Sequence, residues 1–158
     1  MRYFLIDRVT ELVVGKSVKG IKTVTLSDQI LHDHFPDHPV MPGALIVEAA
    51  AQLAGFLLEV TLNRRGGPPR RALLVQIEHA KFYALCEPGD RMEIAVTMGS
   101  QLEDAVQAAA EVTVDGKRAA RASLTFVMKD VDSEKVHEQR RYLYKLWTKH
   151  LQPPPEIL

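Results

Sequence analysis

The sequence predicts an α+β fold, in which strands precede and follow one long apolar helix. Strand-like alternation occurs on both sides of the helix, and this order of elements is typical of α+β domains. The helix candidate runs from Ala44 to Leu58, with Glu48 as its only ionisable residue and Gln52 as its only other strongly polar one. A helix that is apolar on all sides is normally buried. These fifteen residues are too short and too polar for a membrane span.

The length and composition fit one globular domain. The chain has 158 residues, of which 46% are hydrophobic and 25% are charged, so it is large enough for a proper core. Its formal net charge is zero, which suggests neither nucleic acid nor a membrane surface as a partner. Cys86 is the only cysteine, so no intrachain disulfide can form. The first residues show no signal peptide, and we therefore expect a cytoplasmic protein.

Two strand candidates come before the helix. Residues 8–14 and 17–26 are expected to form a hairpin around Gly15-Lys16. Ser27-Asp28 follows them and is suited to cap a short turn from Gln29 to Leu31.

The strand candidates after the helix alternate more clearly. A long strand is expected over residues 72–86, followed by a turn at 87–90. Apolar residues then alternate from Met92 to Met98, which predicts a strand with one face on the core. Asp115-Gly116 is a two-residue hairpin signal. The hairpin it joins carries inward-facing residues at alternate positions, namely Ala108, Ala110, Val112, Val114, Ala120, Ala122, Leu124, Phe126 and Met128.

The last segment predicts a second helix over residues 132–151, which the prolines at 153–155 end. Four apolar residues of this helix fall on one stripe, namely Val136, Leu143, Trp147 and Leu151. Arg140 lies among them. We expect this helix to pack on the outside of the sheet or on a neighbouring subunit. The chain thus divides into a domain at residues 1–130 and a C-terminal helical extension with a proline-rich tail at 131–158.

A proline-rich strap at residues 34–43 leads into the first helix. Each proline biases the residue before it toward extended backbone, so Phe35, His38 and Met41 should be extended. Pro42 suits the first position of a helix, where its missing N–H is not needed.

Candidate catalytic groups surround the junction of strap and helix. Glu48 and Gln52 are four residues apart and share one helix face, while His34 lies fourteen residues before Glu48. The N–H groups of Gly43 and Ala44 point out of the helix N-terminus, where a developing negative oxygen can bind. A base, an acid and an oxyanion donor can therefore meet in one apolar pocket. Proton abstraction beside a carbonyl needs these three groups.

The segment His34–Gln52, HFPDHPVMPGALIVEAAAQ, resembles the signature of the β-hydroxyacyl-acyl carrier protein dehydratases of fatty acid synthesis. Residues 4–9, 77–82 and 88–90 resemble further segments of that family, and the resemblance covers roughly residues 2 to 128. It implies the hot-dog fold, in which a curved antiparallel sheet wraps around a long central α-helix. The C-terminal helix is an addition to that fold.

The resemblance also implies an activity and its residues. The protein is expected to be a lyase that dehydrates a (3R)-3-hydroxyacyl thioester to the trans-2-enoyl thioester. His34 is the expected general base and Glu48 the expected general acid. Gly43 and Ala44 are expected to bind the thioester oxygen, and Gln52 to orient Glu48. No metal or redox cofactor is implied.

The implied partners are acyl carrier protein and further copies of the chain. In the family, the base comes from one subunit of a dimer and the acid from the other, so we expect a homodimer or a trimer of dimers. Four arginines in the loop 63–71 are suited to bind the acidic carrier or its phosphopantetheine phosphate, or else the loop is a solvated connector. The candidate lining residues of the substrate tunnel are Phe35, Met41, Phe82 and Tyr83.

Two alternatives to dehydration remain open. One is thioester hydrolysis on the same fold, with the helix carboxylate as base or nucleophile. The other is a non-catalytic subunit that binds the acyl carrier. This second alternative is kept because Asp33 and Asp37 stand where the family usually has glycine.

Metal binding is weakly indicated. The closely spaced histidines His32, His34 and His38 do not follow a standard zinc ligand pattern, and no cysteine joins them, so no metal site is expected. His79 is expected on a strand surface, and His137 and His150 are expected to face solvent.

Overall fold

The computed structural model describes residues 3–63 and 65–158. Its elements in chain order are strands β1 (Arg8–Val13) and β2 (Ser17–Thr23), a short 3-10 helix (Gln29–Leu31), helix α1 (Gly43–Leu62), strands β3 (Arg70–Phe82), β4 (Arg91–Leu102), β5 (Ala105–Val114) and β6 (Lys117–Asp130), and helix α2 (Glu134–Thr148). The strands form one antiparallel sheet in the order β1-β2-β4-β5-β6-β3. The sheet packs around α1, so the predicted α+β hot-dog architecture is confirmed.

The alternation of buried and exposed residues along the strands shows which face of the sheet lies on the core. The inward faces of β4, β5 and β6 are buried at alternate positions, as the sequence predicts. Asp115 and Gly116 adopt φ values of +50° and +74° between β5 and β6. A two-residue turn with positive φ at both positions matches the twist of the flanking strands, which explains why aspartate and glycine occupy it.

Helix α1 has 20 residues and is longer than the predicted segment. Pro42 occupies the N-cap position, one residue before the first helical residue Gly43, so its predicted place inside the helix is wrong by one position. By length and composition α1 could cross a membrane, and the argument that it is too short is therefore wrong. Its burial has another cause: β2 to β6 contact it, and its residues from Leu53 to Glu59 are buried.

Two predicted strands end early because their last residues bond elsewhere. β2 ends at Thr23, and the Asp28 carboxylate accepts the N–H of Thr25 at 3.1 Å instead of capping the short helix. β3 ends at Phe82 rather than at residue 86. The carbonyl of Cys86 accepts the N–H of Met41 at 2.8 Å and so joins this segment to the strap.

Helix α2 packs on α1 and also contacts the edge strand β1, whereas a place on the outside of the sheet or on a neighbouring subunit was expected. The ring of Phe56 in α1 meets Tyr144 edge-on at 4.9 Å and Trp147 at 6.2 Å. Tyr144 and Trp147 are fully buried, so α2 and α1 share one hydrophobic core. The aromatic side chains of α2 therefore continue the core of the sheet domain beyond β6.

A buried ion pair joins α1 to β3. The Arg71 guanidinium donates to Glu59 at 2.7 Å and to Nδ1 of His137 at 3.0 Å. The other Glu59 oxygen accepts the N–H of Ala72 at 3.1 Å, and Nε2 of His137 contacts the Val131 carbonyl at 2.8 Å. Because Nδ1 accepts from an arginine, Nε2 carries the proton and the ring is neutral. His137 is thus buried, and its predicted exposure to solvent is wrong.

Candidate active site

Hydrogen bonds within the strap hold His34 in place. The N–H of Val40 donates to the His34 carbonyl at 2.8 Å, and Phe35 and His38 exchange two backbone bonds of 3.0 Å each. The His34–Phe35 peptide bond is cis, and the two rings stack with their centroids 4.4 Å apart. The strap is therefore irregular and internally bonded.

The His34 ring has a defined tautomer. Its Nδ1 lies 2.9 Å from the carbonyl oxygen of Val40. Because a carbonyl only accepts, Nδ1 carries the proton of the neutral ring and Nε2 keeps its lone pair. The side chain is half-buried. An imidazole held in this way can accept a proton at Nε2.

Glu48 lies on α1 in a network that reaches the N-terminal segment. Gln52 donates from Nε2 to Glu48 at 2.9 Å and to the carbonyl of Tyr3 at 3.0 Å. The Gln52 Oε1 atom accepts the N–H of Leu5 at 3.0 Å. Glu48 is half-buried within a single chain, so full burial does not occur there. The network fixes the side chain of Glu48 and leaves its second oxygen without a hydrogen bond among the described residues.

The N-terminus of α1 keeps two amide groups available. The Pro42 carbonyl accepts the N–H groups of Leu45 and Ile46, while those of Gly43 and Ala44 come before the first helical bonds. These amides and the helix dipole favour a negative oxygen at this end.

Gly43 is required by a close contact with an aromatic ring. A Cβ atom at this position would lie 2.9 Å from Cζ of Phe82, closer than real Cβ contacts come. Phe82 therefore covers the helix N-terminus, and only glycine lets it approach so closely. This places one of the predicted tunnel residues beside the candidate oxyanion site.

Glu48 lines two cavities, and His34 lines neither. The larger is a cleft of about 770 Å³ that also involves Phe4, Gln52 and Arg140. The smaller, of about 150 Å³, follows the α1 face of Glu48, Gln52 and Gly55 toward β3. One chain therefore does not bring the expected base and acid into a shared cavity.

The other predicted tunnel residues lie in different surroundings. Met41 is buried in the core, whereas Phe35 is 55% exposed beside His34. Tyr83 is 41% exposed, and cationic groups of Lys81, Arg118 and Arg121 lie 5.3, 5.5 and 6.0 Å from its ring centroid. The Tyr83 ring therefore lies among basic side chains, and it lines neither of the cavities beside Glu48.

Two of the loop arginines that the structure describes, Arg65 and Arg71, are used in ion pairs. Arg71 is buried in β3 and paired with Glu59, and Arg65 pairs with Glu156. Arg64 lies outside the described residues. Of the two interpretations of this loop, binding of an acyl carrier is therefore wrong for Arg71, because its guanidinium pairs with Glu59 inside the fold.

Two groups near the site were not identified from the sequence. One is the basic cluster around Tyr83, defined by Lys81, Arg118 and Arg121. The sequence does not reveal this cluster, because Lys81 is far along the chain from Arg118 and Arg121. The three residues come together because they lie on the paired strands β3 and β6. The other is Arg140 of α2, which lines both Glu48 cavities. A lone arginine inside an otherwise apolar helical stripe was the available signal for it.

The unusual aspartates of the strap do not use glycine-like backbone. Asp33 and Asp37 are exposed, and neither has a positive φ. Their carboxylates therefore add charge near the strap without requiring left-handed backbone.

The strap histidines form no metal cluster. Within residues 3–63 and 65–158, no group of three or more histidine, cysteine, aspartate or glutamate side chains is placed to hold a metal ion. His79 is exposed on β3, as expected.

Comparison with solved structures supports the fold. A hot-dog-like protein from Thermanaerovibrio acidaminovorans aligns with a TM-score of 0.61 at 19% identity, over 87% of this chain and 93% of that chain. The dehydratase heterocomplex ApeI:P from Xenorhabdus doucetiae aligns with a TM-score of 0.63 at 15% identity, over 87% of this chain and 90% of that chain. At these identities the likeness concerns the fold alone.

Comparison of sequences gives the family. A model of the FabA-like domain matches residues 1–123. The 3-hydroxyacyl-[acyl-carrier-protein] dehydratase FabZ of Rickettsia felis is 41% identical over 128 residues, which cover 81% of this chain and 87% of that protein. The Rickettsia massiliae protein of the same name is 40% identical over the same shares. With this similarity over most of its length, the chain belongs to the 3-hydroxyacyl-acyl carrier protein dehydratase family.

Proposed function

We propose that the protein removes water from (3R)-3-hydroxyacyl-acyl carrier protein to give the trans-2-enoyl thioester in fatty acid or related acyl-chain synthesis. The observation that carries this proposal is the His34 ring, whose Nδ1 is held by the Val40 carbonyl at 2.9 Å so that Nε2 is the basic atom. The relatives of known name support the reaction class. The enzyme acts as a soluble lyase of lipid metabolism in the cytoplasm.

His34 starts the elimination. Its Nε2 takes a proton from the carbon next to the thioester carbonyl, and negative charge develops on the carbonyl oxygen. The amides of Gly43 and Ala44 stabilise that charge at the N-terminus of α1. The Val40 carbonyl stabilises the imidazolium that forms, because Nδ1–H continues to donate to it.

Glu48 completes the elimination. Its protonated carboxyl gives a proton to the β-hydroxyl, the C–O bond breaks, and water leaves as the double bond forms. Gln52 is a positioning residue for this step, because its Nε2 donates to one Glu48 oxygen and leaves the other for the substrate. Proton transfer from His34 to Glu48 by way of solvent restores both groups.

The active site forms between two copies of the chain. β3 is an edge strand of the sheet, and it carries three exposed apolar side chains, Leu73, Val75 and Ile77, which are 47%, 56% and 51% exposed. An exposed apolar edge is a template for pairing with another strand. In a single chain, no His34 lines the cavities beside Glu48. A second copy paired on β3 would bring its own His34 toward them. Three such dimers can associate further.

The basic cluster around Tyr83 is the docking site for acyl carrier protein. Lys81 and Arg121 have no ion-pair partner among the described residues, while Arg118 pairs with Glu111 at 2.7 Å. The neighbouring Phe82 contacts Gly43, so the cluster is adjacent to the candidate thioester site. An acidic carrier bound there would place its thioester close to α1.

Single-residue variants test the catalytic assignment. We expect His34→Ala and Glu48→Gln each to lower kcat by at least roughly a hundredfold, the scale of general acid–base catalysis. His150→Ala, at the exposed turn after α2, should keep full activity. Formation of the enoyl thioester is followed by its absorbance. Unchanged turnover in His34→Ala, with the fold intact, would refute the assigned base.

The rival functions give different readouts in the same assay. A thioesterase would release free thiol from the carrier without enoyl formation. A non-catalytic subunit would bind the acyl carrier without turnover of either kind. Measuring thiol release and enoyl formation together separates the three.

For the docking site, we expect Lys81→Glu and Arg121→Glu to raise KM for the carrier-bound substrate by roughly tenfold with little change in kcat. Lys129→Glu, which is exposed at the far end of β6, is the matched control. An equal rise in KM for all three variants would contradict a local docking site.

A further inference from the structure

Helix α2 forms part of the wall around Glu48, although it lies outside residues 1–123 that match the family model. Its Arg140 lines both the 770 Å³ cleft and the 150 Å³ cavity next to Glu48. The extension therefore adds a cationic side chain to the two cavities beside Glu48 of α1.

The position of Arg140 is fixed on both sides along α2. His137, one turn before it, is held by Arg71 and by the Val131 carbonyl. Tyr144, one turn after it, packs against Phe56 of α1. Arg140 lies between these two anchors on a helix that cannot rotate without breaking one of them.

Arg140 is a half-buried cation without a carboxylate partner. None of the ion pairs among residues 3–63 and 65–158 includes it, whereas its neighbour Arg141 pairs with Glu134. If an alkyl chain covered the Arg140 guanidinium, the charge would lose its hydration and gain no new partner, which is unfavourable. A carboxylate at the same place would supply the missing charge partner.

In the proposed reaction, the acyl chain runs along α1 toward Arg140. If the thioester oxygen lies at Gly43, the substrate β-carbon lies near Glu48, five residues and about 7.5 Å farther along the helix. The smaller cavity continues in that direction past Gly55 to Glu59, and Arg140 lies in its wall. The part of the acyl group beyond the β-carbon therefore points toward the guanidinium.

We propose that Arg140 is a specificity-determining residue whose charge selects against long alkyl chains, so that short acyl groups are the preferred substrates. This inference rests on the proposed dehydration at Glu48. Because the discrimination comes from charge and not from the length of the cavity, a long chain that ends in a carboxylate escapes it.

The test uses three carrier-bound substrates: 3-hydroxybutyryl, 3-hydroxydodecanoyl, and a 3-hydroxydodecanoyl analogue with a terminal carboxylate. The full chain should show a lower kcat/KM for the dodecanoyl substrate than for the other two. Arg140→Met should raise the dodecanoyl-to-butyryl ratio by roughly tenfold and remove the advantage of the terminal carboxylate. Arg141→Met is the matched control and should keep the original ratios, because Arg141 pairs with Glu134 and lines neither cavity.

A second variant guards against a folding defect. Arg140→Gln keeps a polar side chain without charge and should also lose the preference for the terminal carboxylate. Equal kcat/KM for the butyryl and dodecanoyl substrates in the unaltered protein, or unchanged ratios in both Arg140 variants, would overturn the proposal. Absence of dehydration of all three substrates in the unaltered protein would instead refute the proposed function, and this inference with it.

Discussion

At the scale of single residues, backbone contacts determine what the side chains near the site can do. The Val40 carbonyl selects the tautomer of His34 at a distance of 2.9 Å. Phe82 leaves no space for a side chain at position 43. Burial removes Cys86 from solvent, and its carbonyl anchors the strap through Met41. Single substitutions at these positions should therefore have predictable effects on activity or on thiol reactivity.

Gly43→Ala should reduce activity by roughly a hundredfold, because the added methyl group would force Phe82 and the helix N-terminus apart, and a shift of about 1 Å is enough for such a loss. The double variant Gly43→Ala with Phe82→Ala removes the clash and should recover part of kcat. Phe82→Ala alone is the control, since it removes the ring without adding a methyl group at position 43. Full activity of the single Gly43 variant would contradict the close approach.

Cys86 should be unreactive in the folded protein. Burial, and secondarily the Asp90 carboxylate, raises the pKa of its thiol to about 11. At pH 8 a thiol reagent should therefore label the chain only at the rate of unfolding, while the urea-unfolded chain reacts at once. From about pH 9 to about pH 11 the unfolded thiol ionises and the folded one does not, so stability should fall as the pH rises through this range. Fast labelling of the native protein would contradict this burial.

At the scale of elements, one buried ion pair ties three segments together. Arg71 of β3 donates to Glu59 of α1 and to His137 of α2. The nearby Tyr144 hydroxyl has a pKa well above its ordinary value, first because it is buried and next because the Glu59 carboxylate is close. The interaction places α2 against α1 and so places Arg140 in the site. Its loss should loosen both the core and the extension.

Arg71→Met should lower the free energy of unfolding by about 3–5 kcal/mol, because it leaves the Glu59 charge buried without its partner. Adding Glu59→Gln should restore much of that loss, since the amide is neutral and its oxygen still accepts the Ala72 N–H. Arg70→Met, at the start of the same strand and without an ion pair among the described residues, is the matched control. Urea unfolding measures all variants. Equal losses at positions 70 and 71 would argue against a dominant buried pair.

At the scale of the whole molecule, a single chain does not bring the proposed base and acid together. His34 and Glu48 share no cavity within it, while the exposed apolar edge of β3 is available for a second copy. The proposed dimer would join the two halves of the site, and activity would then depend on association.

Mixing two inactive variants should therefore restore activity. Subunits with His34→Ala and subunits with Glu48→Gln, refolded together in equal amounts, should recover about a quarter of the normal activity, because half of the dimers are mixed and each mixed dimer holds one intact site. Refolding each variant alone is the control. A mixture as inactive as its components, although mixed dimers form, would place the base and acid in the same subunit.

The sequence by itself determined the α+β class, the Asp115-Gly116 hairpin, the apolar central helix and the family, because these depend on local periodicity, turn chemistry and one long motif. It did not predict the burial of Arg71 and His137, the packing of α2 on α1, or the approach of Lys81 and Arg118 to Tyr83. These contacts join residues far apart in the chain, and their partners become neighbours only when the sheet closes around α1. Tertiary structure therefore decided which charges are buried in pairs and which, like Arg140, remain available to a ligand.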